Sequence, residues 1–188
     1  MEQLIGWMWL PLAFLLILGW YLSYSASRLD RLHHRAESAR AALEVHLVRR
    51  AAAAIEAAAV LDPASGLMLA AAASESLAEE ESRNGGGQVV EETENDLSRA
   101  LHVTFGDPAD VAQLRANPLA GDLLDVLTAA CTRVQLARRF LNDAVAQAQR
   151  VRRKRVVRWA RLAGRAGMPR MVEIDDSLPA GLADPAPD

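Results

Sequence analysis

Residues 118–151 read PLAGDLLDVLTAACTRVQLARRFLNDAVAQAQRV, and their spacing decides the fold. Leu123, Leu127, Ala130, Val134, Ala137, Leu141, Ala144, Ala148 and Val151 recur in an unbroken four-three alternation. On a helix of 3.6 residues per turn that alternation puts all nine on one side, leaving the charged residues between them on the other. Such a seam needs a second helix to cover it, so the stretch predicts a long helix inside a bundle or coiled coil.

The same reading extends upstream. An Asx residue followed by Pro occurs three times, at Asp62-Pro63, Asp107-Pro108 and Asn117-Pro118. The Asx side chain can accept from the free N–H groups of a first helical turn, where Pro costs nothing because its missing N–H would be unsatisfied anyway. Each pair therefore predicts a helix start. The second helical region, about 63–104, is interrupted at Asn84-Gly85-Gly86-Gly87. Three glycines in mid-helix cost too much backbone entropy, so this region is either two helices or one bulged helix. Between Gly19 and Pro63 there is neither Gly nor Pro, and Leu29, Leu32, Ala36, Ala39, Leu43, Leu47, Ala54, Ala58 and Leu61 recur at three- and four-residue steps. That pattern predicts another helical face.

Nearer the N-terminus the pattern changes from one-sided to all-round. From Gln3 to Ser27 no side chain is charged. The apolar run Leu4 to Tyr24 would span about 31 Å as a helix, against a hydrocarbon core of about 30 Å. Trp7 and Trp9 stand at one end and Trp20, Tyr21 and Tyr24 at the other, the positions of an aromatic belt. Ser25, Ala26 and Ser27 would also suit a signal-peptide cleavage site. However, the first residues offer Glu2 and no Lys or Arg, and the run exceeds an ordinary signal core, so an anchor is the preferred reading. Arg28, Arg31 and Arg35 follow the run, which by the positive-inside rule places the N-terminus outside and the body in the cytoplasm, at the cell membrane.

The formal net charge of −3 conceals a segregation: residues 25–61 carry +2, 62–127 carry −10, 128–170 carry +11 and 171–188 carry −5. The basic excess is concentrated in Arg150, Arg152, Arg153, Lys154, Arg155, Arg158, Arg161 and Arg165, with Trp159 among them. On a helical wheel Arg150, Arg153, Lys154, Arg158, Arg161 and Arg165 share one side and Val151, Val156, Trp159, Ala160 and Leu162 the other. That is the form of an amphipathic helix lying on an anionic leaflet, each cation contributing about 1 kcal/mol. One Trp is thin support for nucleic acid, which needs more stacking residues or a known module. The acidic residues Glu79, Glu80, Glu81, Glu91, Glu92, Glu94 and Asp96 flank the glycines and read as a solvated loop, without the spacing of a calcium site.

Three ordered stretches resemble the LemA family, bacterial membrane proteins with an N-terminal transmembrane helix and a helical-bundle body. Leu43-Glu44-Val45-His46-Leu47 with Arg49-Arg50 is similar to the family's Ile-Asp-Val-Gln-Leu, one spacer, then Arg-Arg. Glu94-Asn95-Asp96-Leu97-Ser98-Arg99-Ala100-Leu101 is similar to Glu-Asn-x-Leu-Ser-x-x-Leu. Leu114-Arg115-Ala116-Asn117, Arg133 and then Ala137-Arg138-Arg139-Phe140-Leu141-Asn142-Asp143-Ala144-Val145 are similar to Leu-Lys-Ala-Asn and Ala-Arg-Arg-Phe-Tyr-Asn-x-x-Val. The order and spacing cover most of residues 20–150. The chain departs where a Pro-Asn pair is replaced by Ala54 to Glu56, a Glu by Cys131, a Tyr by Leu141 and a terminal Phe-Pro-Ser-Asn by the basic run, as a divergent member would. The resemblance implies location and architecture and assigns no chemistry. It marks Glu44, Arg49, Arg50, Arg138, Arg139 and Asn142 as a charged surface.

Other chemistry is poorly represented. The single Cys131 allows no internal disulfide and no Cys-based zinc site. No Glu stands three residues before His33, His34, His46 or His102, as a carboxylate-bridged metal bundle needs. Gly85 to Gly87 is not followed by the Lys-Ser/Thr of a phosphate loop. The sequence thus predicts an all-α protein, its transmembrane helix (1–27) continuing into an antiparallel long-helix bundle of three to four helices (28–166), with a disordered acidic, Pro-rich tail (167–188). It predicts no catalytic residues, metal or cofactor. The expected role is a non-enzymatic interaction or scaffold protein, with the bilayer and a protein partner or second copy as partners. The alternative is an anionic-lipid module acting through residues 150–165.

Overall fold

The computed structural model describes residues 2–82, 91–153 and 169–183; the side chains of residues 2–11 and of Ala26 lie outside what is described. Five helices follow in order: α1 (Glu2–Ala58), α2 (Pro63–Ser82), α3 (Glu91–Phe105), α4 (Pro108–Arg115) and α5 (Pro118–Arg152). No strand occurs among the described residues.

All three Asx-Pro pairs open helices through the predicted bond. Asp62 Oδ1 accepts from Ala64 N (3.0 Å) and Ser65 N (3.2 Å), Asp107 Oδ1 from Ala109 N (2.8 Å) and Asn117 Oδ1 from Leu119 N (3.0 Å). The bonds from Ala64 and Ser65 stabilise the ionised side chain, so the Asp62 carboxyl lies below its ordinary pKa, the Ser65 contribution being the largest. The helix count exceeds the expected three to four for two reasons. The region 63–104 is two helices, α2 and α3, and the two closely spaced Asx-Pro pairs bound a separate eight-residue α4. The Asn84 to Gly87 break itself falls outside the described residues.

α1 is unbroken through the predicted junction of anchor and body. It is the one helix among the described residues that is long and apolar enough to cross a membrane. The chain divides into two compact units, one of residues 1–38 and 143–171, the other of 39–142 and 172–188. In the first, Leu29 and Val151 are buried together with Leu32 against them, and Gln149 Nε2 donates to the Pro169 carbonyl (2.9 Å). In the second, one apolar cluster draws on every helix. It includes Ala51, Ala54 and Ala57 of α1, Leu69 and Ala73 of α2, Leu97, Leu101 and Phe105 of α3, Val111 of α4, and Leu124 and Leu127 of α5. Alanine supplies little apolar area, about one methyl each, but it lets backbones approach closely. Gly66 shows how closely: a Cβ there would stand 2.7 Å from the Ala58 carbonyl oxygen.

The predicted α5 ladder is buried at eight of its nine positions, Leu123 yielding its place to Leu124. The tail departs from expectation. Disorder was predicted from residue 167 because the composition is rich in Pro, Gly and Asp. Residues 169–179 instead form a strap without helix or strand and 180–182 a turn, with Val172, Ile174 and Leu182 buried. A few well-spaced apolar residues outweigh the composition because the helices satisfy the strap's backbone. Val172 N–H donates to Asn142 Oδ1 (2.9 Å) while Asn142 Nδ2 donates to the Val172 carbonyl (3.0 Å). Glu173 N–H donates to Glu91 Oε1 (2.9 Å), Asp175 N–H to Asn95 Oδ1 (2.7 Å), and Gln135 Nε2 to the Asp176 carbonyl (2.6 Å). At its end Gly181 N–H donates to the Phe105 carbonyl (3.0 Å), and a Cβ on Gly181 would fall 2.5 Å from Val111 Cγ2 and 2.7 Å from that carbonyl oxygen.

Gly181→Val should therefore unseat the strap's end by its clash with Val111 and the Phe105 carbonyl. Hydrogen exchange is expected to quicken at residues 172–182 while α2 and α3 keep their protection. Unchanged exchange in the strap would contradict this account.

Candidate functional site

The most unusual chemistry in the second unit is a buried charge. Arg50 lies three residues after Leu47 and four before Ala54, so the helical period turns it into the core, where it is 2% exposed. An unpaired guanidinium there would cost several kcal/mol, so its partners decide whether the fold is possible. Glu94 is one: it precedes Leu97 and Leu101 by three and seven residues, shares their face of α3, and is 1% exposed. Arg50 Nη2 donates to Glu94 Oε2 at 2.6 Å and lies 3.3 Å from the Glu94 carbonyl.

Two serines complete the network. Ser76 of α2 donates to Glu94 Oε1 at 2.6 Å, and Arg50 Nη1 donates to Ser98 Oγ at 3.1 Å. The single Ser98 proton has two acceptors in reach, the Glu94 carbonyl at 3.0 Å and the Asp175 carbonyl of the strap at 2.5 Å. Three helices and the strap thus meet on one ion pair. Arg50 Nε is left without a hydrogen-bond partner. Cys131 is also buried, and burial pushes its thiol up against the smaller downward pull of Arg50, which keeps it protonated and unreactive.

A second charged contact fixes the strap from α5. Arg138 Nε and Nη2 donate to Asp176 Oδ2 (2.6 Å) and Oδ1 (2.8 Å), a two-pronged pair that raises the guanidinium above its ordinary pKa. Asp175 is held below the usual carboxylate range, chiefly by the Ser177 hydroxyl and N–H, with His102 and Arg50 adding positive field. Surface clefts among the described residues lie elsewhere. One of about 410 Å³ is lined by Leu61, Asp62, Ser65 and Thr104, and one of about 570 Å³ by Pro108, Val111, Arg115 and Leu182. Among the described residues no group of three metal-ligating side chains assembles.

The predicted charged surface is thus divided. Arg49 and Arg139 are exposed and Glu44 half-buried. Arg50, expected on that surface, is instead core, because its place in the α1 ladder leaves it nowhere else to point. Arg138 and Asn142 are half-buried and engaged by the strap. Glu94 was assigned to a solvated acidic loop and is the most buried carboxylate described. Its spacing to Leu97 and Leu101 was the signal for it, and Ser76 has the like spacing to Leu69 and Ala73, whereas nothing local marks Asp176 or Asn95. In the predicted belt, Trp20, Tyr21 and Tyr24 are exposed and the Trp20 and Tyr24 rings stack at 6.2 Å. Trp7 and Trp9 fall on α1 with side chains outside those described. Of the basic run, Arg150 and Arg153 are exposed; Lys154, Arg158, Trp159, Arg161 and Arg165 lie outside the described residues. Comparison of the chain with protein-family models, with curated proteins and with solved structures found no match.

Replacing one member of the pair strands the other. Arg50→Met or Glu94→Leu alone should cost about 3–5 kcal/mol of unfolding free energy, and the double replacement far less than the sum. Denaturant titration of the three variants checks this; additive losses would show that the two groups are not coupled. Acid should loosen the strap as well. A carboxyl with a depressed folded-state pKa contributes stability that is present above its unfolded pKa and is lost as pH falls through the folded value. Protection of the amides of residues 175–177, taken relative to their intrinsic exchange at each pH, should therefore fall as pH drops below the ordinary carboxylate range, and Asp175→Asn should flatten that response.

Proposed function

We propose that the chain is a membrane-anchored, non-enzymatic scaffold of the cytoplasmic face, a divergent LemA-like protein whose antiparallel helical bundle presents charged faces to a protein partner or to a second copy. The observation that carries the reading is the state of α1. Phe14, Leu15, Leu16, Ile17 and Trp20 are each more than 60% exposed, although they belong to the most apolar stretch of the chain. Side chains of that kind on every side of one helix need an apolar solvent, and a bilayer supplies it. The Arg-rich exit at residues 28–35 supports the orientation of this reading, N-terminus outside and body in the cytoplasm at the cell membrane.

The LemA-like reading has its own support. Arg50 comes from the first resembling stretch and Glu94 and Ser98 from the second, and these residues meet in one buried network. The third stretch supplies Arg138 and Asn142, which hold the strap. Residues that stand out as motifs in the sequence thus lie where the unit is held together, as a shared fold would require. A scaffold role fits a unit whose buried charges are directed at one another and whose outer faces mix apolar side chains with arginines.

The test is fractionation of the full chain. The wild type should stay with membranes through carbonate extraction. A variant with Leu15→Arg and Leu16→Arg, each costing about 2.5–3.5 kcal/mol at mid-bilayer, should move to the soluble fraction. Retention of that variant in the membrane pellet would remove the anchor from the proposal.

A further inference from the structure

Outside its core, the second unit carries two apolar stripes on its surface. The first spans α1 and α5. On α1, Ala41, Val45, Val48 and Ala52 repeat the four-three step and are all exposed, at a phase opposite to the buried ladder. On α5, Val126, Leu136 and Phe140 are 53%, 47% and 65% exposed and share a side with Arg133. The two helices share one core cluster just inside the stripe, Ala51 and Ala54 of α1 with Leu127 and Ala130 of α5. Arg49 and Arg133 also both lower the pKa of His46, after burial as the larger cause. The stripe is therefore apolar with arginines at its middle.

The second stripe runs along α2, where Leu67 (73%), Met68 (41%) and Ala71 are exposed, followed by Glu75 on the same side. No residue of α2 before Glu75 is charged. The buried network fixes the height of the two stripes. Arg50 and Ser76 bond the same Glu94 carboxylate, so their chain neighbours Arg49 and Glu75 lie in one layer of the unit, both exposed. The acidic residues beside the first stripe lie two turns or more from these arginines: Glu56 is seven residues from Arg49, and Asp125 and Asp122 are eight and eleven from Arg133, towards the end of the unit where Gly66 meets Ala58 and α2 is uncharged.

We propose that copies of this chain associate side by side and head to tail, the α2 stripe of one packing on the α1–α5 stripe of the next, with Glu75 against Arg49 and Arg133. The inference rests on the scaffold reading above and names its partner. Copies anchored in one membrane point the same way, so layers meet at equal height. A face pairing with itself would then oppose arginine to arginine, or Glu75 to Glu75, and like charges opposed cost where opposite charges help. Only the mixed pairing matches charge as well as apolar stripe. Because its two faces differ, the contact is heterologous and builds rings or open arrays, not closed two-fold dimers.

The experiment uses full-length chains in their membrane, carrying Ala71→Cys or Val126→Cys on different tags. Both positions are exposed, Ala71 four residues before Glu75 and Val126 seven before Arg133, and the native Cys131 is buried out of reach of an oxidant. Mild oxidation should give the mixed A71C–V126C disulfide in preference to either same-site pair. Arg49→Glu with Arg133→Glu should lower its yield about two- to fivefold, as exposed ion pairs would, and adding Glu75→Arg should restore it. Dominant same-site disulfides would overturn the proposal in favour of a two-fold dimer, and yields blind to the charge reversals would overturn the pairing. A photo-crosslinker at residue 126 separates this failure from that of the scaffold reading. If it traps only a different protein, the head-to-tail contact falls and the scaffold stands. If residues 71 and 126 trap no protein at all, both fall.

Discussion

A guanidinium and a carboxylate removed from water together leave a protein few arrangements. Arg50 and Glu94 are each about 98% or more buried and 2.6 Å apart, and each would cost several kcal/mol if the other moved away. The apolar ladders of α1, α3 and α5 say which faces turn inward, but they say little about how far one helix slides along another. A seam of Leu and Ala packs almost as well one turn along. A shift of one turn, about 5.4 Å, would break every bond that Arg50, Glu94, Ser76 and Ser98 make. The ion pair therefore sets the register of α1, α2 and α3, and the heights of the residues on their outer faces follow from it.

The strap depends on the same layer. Residues 169–179 form neither helix nor strand, and such a segment needs partners for N–H and C=O groups that a helix would satisfy internally. No strand lies beside it among the described residues, so side chains serve instead. Asn142 both accepts from and donates to Val172, as a neighbouring strand residue would, and Asn95, Glu91 and Gln135 take further backbone groups. The Asp175 carbonyl closes onto Ser98, which already accepts from Arg50. The terminal segment is thus joined to the buried pair through one hydroxyl, while the two-pronged Arg138–Asp176 contact holds it from α5.

These facts divide what was legible in the sequence from what was not. Helix starts were legible because a cap is a local device: an Asx side chain, two free N–H groups and a proline lie within four residues. The α5 face was legible because periodicity is a property of one helix. Arg50 was harder, since a charged residue is expected outside and its phase between Leu47 and Ala54 had to be weighed against that expectation. The pairing with Glu94 joins residues 44 apart, and nothing near either one specifies the other. The strap was the least legible. Composition argued for disorder, and its order comes from Asn142, Asn95 and Arg138, side chains that look solvated until a distant segment is laid against them.

Alanine and leucine do two different jobs in α1, and the change between them occurs within a few residues. From Leu29 onward the apolar side chains that are buried fall on one side: Leu29, Ala36, Leu43 and Leu47 are all below 7% exposed, while charged residues occupy the positions between. From Leu12 to Tyr24 they occur on every side, and Leu12, Phe14, Leu15, Leu16, Ile17 and Trp20 are exposed in a helix that stays continuous. A one-sided stripe is what a protein core requires, whereas all-round apolarity requires an environment that is itself apolar. Among the described residues of its unit, nothing buries these side chains. The turnover falls where Arg28 introduces the first charge after Glu2, so the change from all-round to one-sided apolarity is written in both composition and exposure.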